Sequence, residues 1–410
     1  MDAQLRDAAQ EIVGQAIRAV LPDAAVRRAL AGFRPHGGRA LLVAAGKAAW
    51  RMARAAVDVL GHVDGGVVIT KYGHVQGRIP GVDCFEAGHP VPDENGFAAT
   101  ERALALVRGL TARDDVLFLL SGGASALFEK PLTDASQLQD ITRQLLSGGA
   151  DITEINAVRK RLSAVKGGRF ALACAPAQVY AVALSDVLGD APDVIASGPA
   201  SPDASRCAEA LAAAEKYVPG LPDEVRALLA RETPKALDNA CVQVVGSVRA
   251  LCEAAARACE QLGYEPLLLT DRLCCEAREA GRFLGAIVRT HAGEGKKRAF
   301  IAGGETVVHV RGAGLGGRNQ ELALAAADAL DGLDGCCVFS VGSDGTDGPT
   351  DAAGGYVDGG TGCALRAAGR SAQRALEEND AYHALAAVDG LIVTGPTGTN
   401  VNDVAVALVR

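Results

Sequence analysis

The chain has 410 residues, 49% of them apolar and 4% aromatic, with 49 glycines and a formal net charge of -8. This length exceeds what one hydrophobic core covers, so two domains are expected, and the small-residue composition suits helices packed closely on sheets. The negative balance argues against a nucleic-acid binder, no window of about 18 uninterrupted apolar residues offers a membrane span, and the N-terminus lacks a basic start followed by an apolar stretch, which predicts a cytoplasmic protein.

Apolar runs alternate with helical patterns in the manner of βαβ units. The first strand candidate, LLVAA from Leu41, ends in Gly46-Lys47, and Ala53, Ala56, Val57 and Leu60 then follow helical spacing before Gly61 as a stop. VVIT from Val67 runs into Thr70-Lys71-Tyr72-Gly73-His74, and VLFLL from Val116 runs into Ser121-Gly122-Gly123-Ala124-Ser125. Ile155, Val158, Leu162 and Val165 predict one helix that puts Asn156 and Lys160 on a shared face. VYAVAL from Val179 leads to Ser185-Asp186. Residues 218–240, with three prolines and many charges, form the best boundary candidate, and further strands are expected at 241–245, 266–270, 298–302, 306–310, 336–341, 391–394 and 404–409.

Ligands of open parallel sheets bind at the carboxyl ends of the strands, and those positions are polar and glycine-rich here. The Ser121 to Ser125 turn offers backbone N–H groups and two hydroxyls to a phosphate at a helix start, although a capped βα turn has the same signature. Lys47 places an ammonium in a helix's first turn, where cations are disfavoured unless an anion is bound, and Lys71 repeats the arrangement. Asp186, directly after a buried strand, suits a magnesium ion that takes one or two carboxylates and keeps its waters; a turn-capping role fits equally. Three more such turns lie in the second half: Glu305 in GGET, Arg318-Asn319 in GGRNQE, and Asp344 and Asp347 in SDGTDG. Thr397 and Asn400 lie in a last hydroxyl-rich cluster between two expected strands. Eleven cysteines without zinc-knuckle spacing read as reduced, mostly buried side chains.

The blocks AAGKAA, ITKYGH, GHPVPDENG, LLSGGASAL, INAVRKRLSAVKGGR, SDVLGD, IASGP, GGET, GLGGRNQE, GTDGPTDAAGG and TGPTGTNVNDV occur in this order, and together they resemble the glycerate 2-kinases of the MOFRL type, also called class II glycerate kinases. The resemblance implies a Rossmann-like α/β domain over 1–235, a smaller C-terminal MOFRL-type α/β domain over 236–410, and an active site in the cleft between them. It implies transfer of phosphate from ATP, with Mg2+, to D-glycerate to give 2-phosphoglycerate. Lys47, Arg318 and the Ser121 to Ser125 phosphate turn match the family's functional positions. From chemistry, Asp186 is the expected metal ligand, one of Lys47 and Arg318 meets the phosphoryl while the other holds the glycerate carboxylate, and Asp344 or Asp347 orients the hydroxyl. Phosphate or substrate contacts are further expected from Lys71, Asn156, Lys160, Glu305, Asn319, Thr397 and Asn400. No nucleic-acid or membrane partner is expected, and a homodimer stays open. Two departures from the family pattern are Ala124, where glycine is usual, and Leu188, where proline is frequent; the first predicts strain if the turn needs a left-handed residue there.

Gly312-Ala313-Gly314-Leu315-Gly316-Gly317 satisfies G-x-G-x-x-G, which keeps open a nicotinamide-dependent hydroxypyruvate reductase, and a non-catalytic sugar-acid-phosphate-binding protein is the remaining alternative. Against the reductase, the third glycine is followed by Arg-Asn-Gln-Glu rather than by apolar residues that would pack a helix on its sheet.

Overall fold

The computed structural model describes residues 2–410, which divide into two compact units, Pro22–Val245 and the segment ending at Leu21 together with Gly246–Arg410. No helix among these residues is long and apolar enough to cross a membrane.

Six strands build the first unit: β1 (Ala40–Ala45), β2 (Gly65–Lys71), β3 (Val82–Ala87), β4 (Asp115–Leu120), β5 (Gln178–Leu184) and β6 (Ala240–Gly246). Their order is β3-β2-β1-β4-β5-β6, with β1 to β5 paired in parallel. This is the order of dinucleotide-binding sheets, in which the chain reverses direction between the central pair and leaves a crevice beyond their carboxyl ends. Both faces are covered, because successive residues of a strand point oppositely. Val43, Val67, Phe118 and Ala181 join one apolar cluster, and Leu42, Val68, Leu117 and Val182 join the other. The expected helix after β1 spans Ala49–Leu60 and stops at Gly61 with φ 77°.

The second unit contains β7 (Glu265–Leu273), β8 (Arg298–Gly304), β9 (Cys336–Gly342), β10 (Gly354–Asp358), β11 (Leu391–Ile392) and β12 (Asp403–Val409), ordered β11-β10-β9-β12-β8-β7. Only β7 and β8 pair in parallel. The C-terminal β12, buried at every residue, lies antiparallel to both β8 and β9. Helices Ala277–His291 and Arg318–Leu330 cover one face.

Several expectations need correction. The N-terminal helix Ala3–Ala19 packs within the second unit, so the first does not start at residue 1: Arg6 donates to the Leu391 carbonyl (2.7 Å) and Thr399 to that of Val20 (2.8 Å). The strand over 241–245 is β6 of the first sheet, which moves the boundary about ten residues beyond 235. The predicted helix over 155–165 ends at Arg161, where the Arg169 guanidinium takes the carbonyls of Lys160 and Ser163, each at 2.6 Å, in place of further helical N–H donors. Residues 306–310 form no strand; Val307 makes a lone bridge with Glu276.

Candidate active site

In the first unit the ends of β1 and β4 are tied together at the crevice. Lys47 donates its backbone N–H to the Gly122 carbonyl (2.9 Å) and Ala48 donates to Ser121 Oγ (3.0 Å). Gly46 has φ 124°, and a Cβ there would stand 2.3 Å from Ser121 Oγ, so only glycine lets the two loops meet. The buried Ser121 hydroxyl and the Gly122 carbonyl therefore fasten the Lys47-Ala48 backbone to the turn, while Ser121 still lines the neighbouring hollow.

The turn itself is left-handed at Gly123 (φ 86°), and Ala124 opens the helix with negative φ, so the expected strain at Ala124 is absent. That helix, Ala124–Leu127, has only four residues, too few for a substantial dipole. Side chains supply the positive charge instead. A Cβ on Gly123 would lie 2.9 Å from His89 Nε2 and 3.4 Å from Lys47 Cγ. His89 is half-buried, and burial together with the nearby Lys47, Lys71 and His74 holds its pKa below the usual histidine range. On the turn's other side, a Cβ on Gly122 would lie 2.6 Å from Asp186 Oδ2, which puts this carboxylate directly against the glycine backbone.

Beside the turn lies a hollow of about 460 Å³ lined by Ser121, Ser125, Asn156, Arg159, Asp186 and apolar neighbours that include Leu188. Ser197 Oγ lies 3.3 Å from Ser125 Oγ and donates to Asn156 Oδ1 at the same distance. Ala196, Ser197 and Gly198 all have φ between 54° and 65°, a costly run for non-glycine residues. Hydrogen bonds from Gly167 to the Ser197 carbonyl (3.0 Å) and from Gly168 to that of Gly198 (2.7 Å) hold it in place. Lys160, expected beside Asn156 as a phosphate ligand, is buried and paired with Asp203 at 2.9 Å and Asp193 at 3.5 Å. The helix turns the two residues to different surroundings.

The second unit holds Arg318 at the start of its helix. Asp403 grips the guanidinium through Nε (2.5 Å) and Nη2 (3.1 Å), and Glu305 lies 3.2 Å from Nη1. Burial raises Asp403 to about 6 against the opposing pull of Arg318, and the carboxylates raise Arg318 despite its own burial. Glu305 also accepts from Asn402 (3.1 Å).

Asp347 has a different task from the one expected. It is buried, and its two oxygens accept the backbone N–H groups of Asn319 (3.1 Å) and Gln320 (2.8 Å), which caps a helix whose own N-cap is Gly317. Asn319 is likewise consumed in the interior, bonded to Asp347 (3.3 Å) and Ser340 (2.5 Å). Asp344 stays partly exposed and caps its own turn through Thr346 N–H (3.0 Å). Thr397 donates through its hydroxyl to the Ser343 carbonyl (2.6 Å), and Asn400 is half-buried on the same loop.

The G-x-G-x-x-G segment packs its glycines against protein. Missing side chains at Gly312, Gly314 and Gly317 leave room for Glu378 O (2.3 Å from an added Cβ), Asp380 Cβ (2.5 Å) and Asp347 Cγ (2.3 Å). Gly314, Gly316, Gly317 and Arg318 also line a hollow of about 570 Å³, but the helix-start N–H groups of Asn319 and Gln320 are already bound to Asp347 and are not left to cradle a pyrophosphate.

Among the described residues no three His, Cys, Asp or Glu side chains converge as a ready metal cage. Asp186 against a glycine turn fits an ion held chiefly by phosphate oxygens and water, as magnesium is. Sequence reasoning missed His89, which sits within a quoted block, and Arg159, read only as part of a basic helix face.

Residues 8–230 match the family described as a domain of unknown function (DUF4147), and residues 298–403 match the MOFRL family. D-glycerate 2-kinase of Thermotoga maritima is 52% identical over 99% of this chain and 98% of its own. A putative hydroxypyruvate reductase of Agrobacterium vitis is 40% identical over 100% and 95%. The crystal structure of glycerate kinase from Thermotoga maritima superposes with a TM-score of 0.96 at 50% identity, covering both chains completely. The chain belongs to the MOFRL-type glycerate 2-kinase family, whose sequence blocks lie here on the strand ends of two α/β units.

Proposed function

We propose that the protein acts in the cytoplasm and transfers the γ-phosphoryl group of ATP to the C2 hydroxyl of D-glycerate, giving 2-phosphoglycerate and ADP with Mg2+. The observation that carries this reading is the crevice between β1 and β4, where Lys47, His89 and Asp186 crowd the Gly122-Gly123 turn. Phosphoryl transfer demands alignment and charge neutralisation more than covalent chemistry, and this arrangement supplies both.

The turn's backbone approaches the phosphates closely because no Cβ intervenes, and Lys47 meets the charge on the transferred group. Lys71 and a neutral, hydrogen-bonding His89 extend the anion site. Asp186 would hold Mg2+, which when bound screens the phosphate oxygens. Arg318, fixed by Asp403 and Glu305, provides a second positive group for phosphate, and Asp344 is the carboxylate proposed to accept the hydroxyl proton. The glycerate oxygen bonds to phosphorus as the bond to the ADP oxygen breaks. Asp347 has no part, since both its oxygens are committed to the helix.

The test is to follow ADP with D-glycerate, ATP and Mg2+, and in parallel NADH oxidation with hydroxypyruvate. ADP formation that depends on D-glycerate is expected. Turnover in the NADH assay alone would sink the kinase reading.

A further inference from the structure

A guanidinium enclosed by protein without a carboxylate partner is costly, and such charges persist where a ligand completes them. Arg159, half-buried at the edge of the hollow, approaches this position. It donates to the Ser125 carbonyl at 3.2 Å, and among the described residues no carboxylate comes within ion-pair distance of it. The nearest acid felt by its charge is Glu129, which is itself paired with buried Lys166 at 3.0 Å. Burial depresses the Arg159 pKa, with Glu129 opposing only in part.

Its surroundings say which anion fits. Arg159 is the only cationic side chain among the residues lining the 460 Å³ hollow, whereas Lys47, Lys71 and His74 gather around His89 on the other side of Gly123. A triphosphate needs that larger set, and a monoanionic carboxylate needs one planar fork. Asn156 lines the same hollow, and with its Oδ1 accepting from Ser197 its amide donor is left for a ligand. The left-handed Ala196-Ser197-Gly198 turn fixes that orientation.

We infer that Arg159, with Asn156 beside it, binds the carboxylate of the hydroxy-acid substrate and so selects acids over neutral polyols. This rests on the kinase reading above and adds the residue that fixes the acceptor. The apolar lining by Ile152, Val187, Leu188 and Val194 leaves space past a three-carbon acid, so larger 2-hydroxy acids are the class expected to compete.

The test is steady-state kinetics of the wild type, Arg159→Gln and Arg159→Lys, with D-glycerate and ATP varied separately and melting temperature as the folding control. Loss of the charged fork is expected to raise the KM for D-glycerate about 100-fold in Arg159→Gln and about 10-fold in Arg159→Lys, with the KM for ATP changed less than about 2-fold. Should Arg159→Gln fail to fold, the lysine variant carries the test. A raised KM for ATP with unchanged KM for D-glycerate would overturn the carboxylate assignment and leave the kinase reading standing. A wild type that does not phosphorylate D-glycerate would overturn both.

Discussion

Two glycine-rich segments precede helices in this chain and use glycine to opposite effect. Around Gly122 and Gly123 the space released by missing side chains borders the Asp186 carboxylate, the His89 ring and the stem of Lys47. Around Gly312, Gly314 and Gly317 the same kind of space is filled by the Glu378 carbonyl and by Asp380 and Asp347. Glycine spacing thus reports that something comes close to the backbone. Whether that something is substrate or the protein's own chain depends on where remote segments fold: at the second segment a hollow of about 570 Å³ lies alongside, yet the helix-start N–H groups are already taken by Asp347.

The comparison can be broken most sharply at Lys47. Lys47→Ala removes the cation whose side chain borders Gly123, and kcat is expected to fall about 10²- to 10³-fold with the melting temperature unchanged, measured by ADP release and thermal unfolding. At the second segment the effect belongs to stability. Gly312→Ala forces a Cβ to within 2.3 Å of the Glu378 carbonyl oxygen. The expected loss is about 2–3 kcal/mol in denaturant unfolding, with kcat per folded molecule preserved. Asp347→Ala sharpens the same point on a smaller scale: removing the helix cap should cost about 1–2 kcal/mol and leave both KM values in place.

A further effect is a pH dependence. Asp403 is raised to about 6 by burial, above its ordinary carboxylate value. The folded state therefore holds this proton more tightly than the unfolded chain, so the stability it contributes is full at low pH and is lost as pH rises from about 4 through 6. Asp403→Asn should flatten this slope in denaturation curves at pH 4.5 and 7, apart from a constant offset for the lost Arg318 contact. An unchanged slope would show that Asp403 stays ionised throughout that range.

Much of the first unit was legible because its strands are continuous apolar runs buried on both faces, as at Phe118 and Leu119. β3 was missed since VDCFEA carries two acids at a sheet edge, and β10 since it opens with two glycines. Turn chemistry showed Lys47, Ser121 and Asp186 at strand ends. It did not show that Asp347 and Asn319 would be spent on a helix start, because capping across 28 residues leaves no local signal. His89 and Arg159 escaped for the converse reason: a lone histidine or one arginine in a basic run gains meaning only from what the fold places beside it.

The most direct measurement is the dissociation constant of ATP, by calorimetry, for Gly123→Ala and Gly312→Ala against the wild type. At Gly123 an added Cβ meets His89 at 2.9 Å in a left-handed turn, and ATP affinity is expected to drop at least about 10-fold. Folded Gly312→Ala should bind as the wild type does. Weakened binding in Gly312→Ala with full affinity in Gly123→Ala would contradict the account, because the phosphates would then sit at the segment whose helix-start N–H groups Asp347 already holds.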